Sequence, residues 1–265
     1  MNSGAPVSTE LAGGVARISL NRPDKRNALD TATISGLTAA LQRCASDPAV
    51  RIVELTGAGE VFCAGADLGE MQAQAQASEA ENLAHAEKLA LLLGALDSLP
   101  KPTLARVNGD GYGGALGLLG ACDIVVAVDT AQFAFTEVRL GLIPAVVSPF
   151  VLGKISESAA RRYFLSAETM SAANLQDLGL VHTVVPAAML DAACARITDA
   201  LLKGAPQAQA EAKALIRDVA RGSAQERADA SIRMAARLAR LRVGDEAKEG
   251  FRAFFAKRKP NWRRD

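Results

Sequence analysis

The segment NGDGYGGALG at 108–117 constrains this chain more than any other. It follows TLARV at 103–107, a β-type run placed after Pro102, and leads into an apolar stretch, 115–122, with helical character. A strand that runs straight into a helix whose first turn is nearly bare of side chains exposes main-chain N–H groups and lets neighbouring backbone approach closely. Other β-type runs, VARISL at 15–20, VRIVELTG at 50–57 and IVVAVDTAQFAF at 124–135 with a polar break at Asp129 and Thr130, alternate with helical stretches. The helices expected are 31–46 behind an Asp30 cap, 78–99 ended by Pro100, and 115–122 opened by Gly113 and Gly114. Strands separated by helices predict an α/β fold.

After about residue 185 the pattern changes. Pro186 opens an alanine-rich region with apolar residues at helical spacing, closed by Lys203 and Gly204, and 206–221, 223–242 and 245–258 read as three further amphipathic helices. No strand signal returns. At 265 residues the chain suits one large domain or a domain with an appendage. With 49% hydrophobic residues and a net charge of +1 it has the material to fold, and with 4% aromatic residues its core is expected to be Leu, Val, Ile and Ala.

The same composition narrows the chemistry. The richest apolar stretch, 112–128, is broken by glycines and Asp123, so no membrane span is expected, and MNSGAPVSTE lacks the basic start and apolar run of a secretory signal. A cytoplasmic protein is the expectation. Cys44, Cys63, Cys122 and Cys194 are scattered, which speaks against zinc and disulfides. Near-neutral charge gives no reason to expect nucleic acid. The two histidines, His85 and His182, stand in no nucleophile motif, and GYGGALG lacks dinucleotide spacing.

Two glycine-bearing segments remain, GEVFCAGADLGEM at 59–71 and NGDGYGGALG. If they face each other, one N–H from each forms an oxyanion hole, and each such donor is worth about 100- to 1000-fold in rate. The alternative for either alone is a tight turn in a compact core.

These segments, with LNRPDKRNALD at 20–30, AQFAFTEVRLGLIP at 131–144 and FFAKRKPNW at 254–262, resemble the crotonase superfamily, that is, the enoyl-CoA hydratase/isomerase family. The resemblance implies an α/β spiral of ββα units over residues 1–195 and a helical section over 196–265 that joins subunits into trimers or dimers of trimers. It places the oxyanion donors at the backbone of Ala66 and Gly114, and contacts to the CoA part of the substrate at the backbone around Ala28, Ala64, Asp67 and Leu68. Arg22, Lys25 and Arg26 fall near the nucleotide phosphates, with Phe254 and Lys257 completing that site. Tyr112, Gly113 and Gly117 are further expected substrate-binding positions. No separate cofactor and no metal is implied.

Family hydratases usually carry two glutamates. The second matches Glu137; the first falls on Gly117, which has no carboxylate. Beside Phe133 and Phe135, Glu137 is expected to have a raised pKa, suited to moving a proton. TEVRLGLIPAVVSPFVLGKI with glycine at 117 looks most like the methylglutaconyl-CoA and isohexenylglutaconyl-CoA hydratase branch, whose substrates carry a distal carboxylate. Tyr112, Asn82, His85 and Lys88 are candidates to meet it. The reading is a hydratase; the alternatives are an isomerase using the lone Glu137, or a noncatalytic binder of acyl-CoA or of RNA. The RNA version is motivated by the arginines at 227–242 and the KRKPNWRR tail.

Overall fold

The computed structural model describes residues 4–220 and 224–263. It divides into two compact units, one formed by 1–99 and 103–196, the other by 100–102 and 197–265. Arg221, Ser223, Arg264 and the side chain of Arg227 lie outside the described residues, so the expected ends of two helices and part of the basic stretch do too.

Among the described residues the first unit holds nine strands: β1 (Val7–Ala12), β2 (Val15–Leu20), β3 (Ile52–Gly57), β4 (Thr103–Val107), β5 (Gly111–Tyr112), β6 (Ile124–Val128), β7 (Gln132–Ala134), β8 (Met170–Ser171) and β9 (Thr183–Val185). Six form a sheet in the order β1-β2-β3-β4-β6-β9, parallel apart from the β1–β2 hairpin. β3 is buried along its whole length, as a strand covered on both faces must be. A second sheet, β5-β7-β8, is built from two- and three-residue strands. Together with the helices between them these strands form an α/β architecture, as read from the sequence.

Helices join the strands: α1 (Thr31–Ser46), α2 (Leu68–Gln74), α3 (Glu79–Ser98), α4 (Gly114–Ala121), α5 (Ser148–Val151), α6 (Glu157–Ser166) and α7 (Ala172–Asp177). The Asp30 side chain accepts from Thr33 N at 2.7 Å and starts α1, which buries Ile34, Leu37, Ala40, Leu41 and Cys44 on one face. α3 begins at a Ser78/Glu81 capping box and buries only Leu92, Leu93 and Leu96, near its end. In α4 every residue from Ala115 to Ala121 is buried. Aliphatic residues dominate the core, but Phe62, Phe133 and Phe135 are among its largest fully buried side chains.

α8 (Leu190–Leu202) leads from the first unit into the second, which contains α9 (Pro206–Ala220), α10 (Ala224–Arg242) and α11 (Asp245–Phe255). Within it, both Glu246 carboxylate oxygens accept from the first backbone N–H groups of α9, at Gln207 and Ala208. Arg237 pairs with Glu211 and Asp218. An apolar hollow of about 510 Å³ is lined by Leu241, Phe251, Phe254 and Trp262, among others. Among the described residues no helix is long and apolar enough to cross a membrane.

Candidate active site

The two glycine-bearing segments lie side by side. Cys63 and Gly111 form a parallel bridge, Cys63 N donates to Asp110 O and Tyr112 N to Cys63 O, each at 3.1 Å. Three residues further along each segment stand Ala66 and Gly114. The approach is so close that a Cβ on Gly65, at φ +86°, would stand 2.6 Å from the Tyr112 carbonyl oxygen. Only glycine fits there.

Neither the Ala66 nor the Gly114 backbone N–H has an acceptor among the described residues. Their directions follow from peptide planarity, because in a trans peptide the C=O and the following N–H point opposite ways. Gly65 O accepts from Leu29 N at 2.7 Å, which turns the Ala66 N–H away from Leu29. Gly113 O accepts from Leu116 N at 3.0 Å inside the first turn of α4, which aims the Gly114 N–H back out of the helix start. Gly113, at φ +50° and ψ −110°, makes this sharp entry possible, and the helix dipole adds positive potential there.

Glu137 completes the arrangement. It opens a 3₁₀ turn, Glu137–Leu140, just after β7. A Cβ on Gly113 would stand 3.2 Å from Glu137 Oε1, so the carboxylate lies against the entry to α4. Oε2 is buried and has no hydrogen-bond partner among the described residues. Burial pushes the Glu137 carboxyl above the usual range, only partly offset by a bond from its own backbone N–H. The unpartnered Gly114 N–H beside this half-buried carboxyl of raised pKa, with the unpartnered Ala66 N–H on the neighbouring segment, can stabilise a developing oxyanion and move a proton.

Gly117 lies within the buried α4. A Cβ there would meet Val147 Cγ1 at 2.6 Å and Leu93 Cδ1 at 2.9 Å, so Val147 occupies the space into which a longer side chain would grow. The Tyr112 hydroxyl donates to Asp110 Oδ2 at 3.2 Å, and burial, then Asp110, raise its pKa. Asn82 Nδ2 donates to the carbonyls of Gln74, Ala77 and Ser78 and closes the turn between α2 and α3. His85 Nδ1 stands 3.8 Å from Glu70 Oε2. His182 is a structural residue that joins β9 to β6, its Nδ1 accepting from Val125 N at 3.0 Å, and burial lowers its pKa.

The expected CoA contacts fall into two groups. Ala28 is buried, Ala64 N donates to Arg26 O at 2.9 Å, and Leu68 is 81% exposed. Lys25 is exposed, and Arg26 is largely exposed with one nitrogen 3.6 Å from Asp110. The Arg22 guanidinium is engaged by Asp30, Asp67 and the Ala28 carbonyl. Phe254 and Lys257 belong to the helical unit, Phe254 76% exposed. Sequence reasoning missed Asn27, which is fully buried; it accepts from Arg22 N and donates to the carbonyls of Ala58 and Val61. Its left-handed backbone, φ +55°, and its distant partners carry no local signal beyond an asparagine in a turn.

Residues 10–265 match the family described as enoyl-CoA hydratase/isomerase. Among curated relatives, the enoyl-CoA hydratase AKT6-1 of Alternaria alternata is 40% identical over 216 residues, 79% of this chain and 69% of the relative. The 2,3-dehydroadipyl-CoA hydratase of Escherichia coli is 30% identical over 255 residues, 94% of this chain and 95% of the relative. Among solved structures, an enoyl-CoA hydratase from Shewanella pealeana is similar at a TM-score of 0.92 and 41% identity, covering 97% of this chain and 96% of that one.

Proposed function

The chain belongs to the enoyl-CoA hydratase/isomerase family, and from that premise we propose that it adds water across the α,β double bond of an enoyl-CoA thioester. The observation that carries this reading is the buried, partly unpartnered Glu137 carboxyl set against Gly113, at the start of a helix whose Gly114 N–H is free. The ionised Glu137 takes a proton from water as the water oxygen bonds to the β carbon. The electron pair of the double bond moves into the thioester, and the enolate oxygen is held by the N–H groups of Ala66 and Gly114. Glu137 then returns the proton to the α carbon, so that H and OH have been added and the carboxylate is restored. With one carboxylate serving both steps, water and proton reach the same face of the double bond.

The substrate we assign is a branched acyl group with a distal carboxylate, of the 3-methylglutaconyl or isohexenylglutaconyl type. Its support is the TEVRLGLIPAVVSPF segment with glycine at 117 and a relative named for a dehydroadipyl group, which also carries a distal carboxylate. Exposed Lys25 and Arg26 would supply positive charge to the CoA phosphates without a separate cofactor, and the subunits would assemble as trimers or dimers of trimers.

Glu137→Gln is expected to abolish turnover and leave acyl-CoA binding intact; retained hydration would remove Glu137 from its role. The lone carboxylate also suits an isomerase, which moves a proton between carbons without water. Incorporation of labelled solvent oxygen into product decides for hydration, and a shifted double bond without label decides for isomerisation.

A further inference from the structure

Arg22 stands two residues past the end of β2 in a run rich in basic residues, yet its charge is turned inward. Nη1 lies 3.0 Å from Asp30 Oδ2 and Nη2 lies 3.0 Å from Asp67 Oδ2, while Nη1 also donates to Ala28 O at 3.0 Å. The three side chains are 19%, 19% and 15% exposed. One guanidinium between two carboxylates leaves this cluster with a net charge of −1, and the arginine's fork is already occupied. An incoming phosphate would be repelled by the aspartates and would have to displace them.

The two aspartates begin two helices. Asp30 caps α1, and Asp67 caps α2 by accepting from Gly69 N and Glu70 N. Burial alone would raise the Asp67 pKa, but the bonds from Gly69 and Arg22 outweigh it and hold the carboxyl below the usual range, so it stays ionised. Asp67 immediately follows Ala66. Its own N–H donates to Leu29 O at 3.3 Å, and Leu29 N binds Gly65 O on the other side of Ala66. The Ala66 peptide is therefore held against Leu29 on both sides and tied through the Asp67 side chain to Arg22.

We propose that Arg22 is a positioning residue for the oxyanion hole, holding Asp67 and with it the Ala66 N–H in place, and that it is not a ligand for the nucleotide phosphates. This rests on the reading above that Ala66 supplies an oxyanion donor. Because a small misplacement of a catalytic group costs about 100-fold in rate, loosening the clamp is a rate effect more than a binding effect.

The test compares Arg22→Lys, Asp67→Asn and the double variant. Lysine cannot bridge both carboxylates, and asparagine keeps the helix cap while removing the charge. Turnover, affinity for CoA and for dephospho-CoA, and the infrared carbonyl stretch of a bound, carbon-labelled thioester are measured for each. The expected result is a fall in kcat of about 10- to 100-fold, a weakened carbonyl shift, unchanged affinity for both CoA forms, and a double variant little worse than either single one. Loss of the preference for CoA over dephospho-CoA, with kcat and carbonyl shift retained, overturns the proposal. Should Arg22→Lys fail to fold, Asp67→Asn decides alone, an unchanged kcat counting against the clamp. If the parent hydrates no ester but binds one with a shifted carbonyl that the variants lose, the hydratase reading fails and the clamp stands.

Discussion

Glu137 shows how one residue's surroundings set its chemistry. Its carboxyl is raised by burial, so over a range of pH where an ordinary glutamate is ionised it still holds a proton. Water activation needs the carboxylate. The rate should therefore fall as pH drops through the raised value, giving kcat/KM an acid limb above the ordinary glutamate value of about 4.3. The sign for stability is the opposite: ionisation of a group whose folded pKa is raised weakens the fold above the unfolded pKa, and that cost disappears on acidification. Glu137→Gln should thus melt higher than the parent near neutral pH, by differential scanning calorimetry. An acid limb at or below the ordinary value, or a Gln variant of lower stability, would contradict the burial argument. At this scale Glu137 stood out only through the likeness of AQFAFTEVRLG to the family's pattern, whereas its raised pKa was legible locally, because Phe133 and Phe135 announce a dry setting. The internal pairing of Arg22 was not, because Asp67 is far away in sequence and an arginine beside Lys25 and Arg26 looks like surface charge.

Among the elements, α1 was legible at both ends: an aspartate cap precedes a strongly amphipathic run, and both signals are local. The short strands β5, β8 and β9 were not, since two or three residues carry no usable period and their pairing is decided by partners elsewhere. β1 is a mostly exposed edge strand in which only Val7 is partly buried, so it lacks a clear alternation. α4 carries a sharper lesson. Its glycine at 117 is a poor helix former, and alanine would gain about 1 kcal/mol in propensity. Yet a Cβ there would stand 2.6 Å from Val147 Cγ1. Gly117→Ala is therefore expected to lower stability by about 1–3 kcal/mol through overpacking, and Val147→Ala in the same chain to recover part of the loss. Chemical denaturation measures both, and a Gly117→Ala variant as stable as its parent would show that α4 has room.

For the whole molecule, the helical unit exposes Phe251, Phe254 and Phe255 at 50%, 76% and 78%. Clustered aromatic exposure of this kind favours association. Replacing Phe254 and Phe255 together by glutamate is expected to reduce the mass measured by sedimentation equilibrium towards that of one chain. An unchanged mass would contradict association through these rings. The α/β alternation, the helical C-terminal part and the two glycine segments are written in the chain itself, because period, caps and missing side chains are all local properties, whereas Glu137 was singled out only by family likeness. Folding in three dimensions was needed to pair Cys63 with Gly111, to leave the Ala66 and Gly114 N–H groups without acceptors among the described residues, to set Val147 against Gly117, and to spend Arg22 on two aspartates. Those facts depend on which distant backbones meet and on what remains unpaired after they do. No single stretch of the chain contains that information.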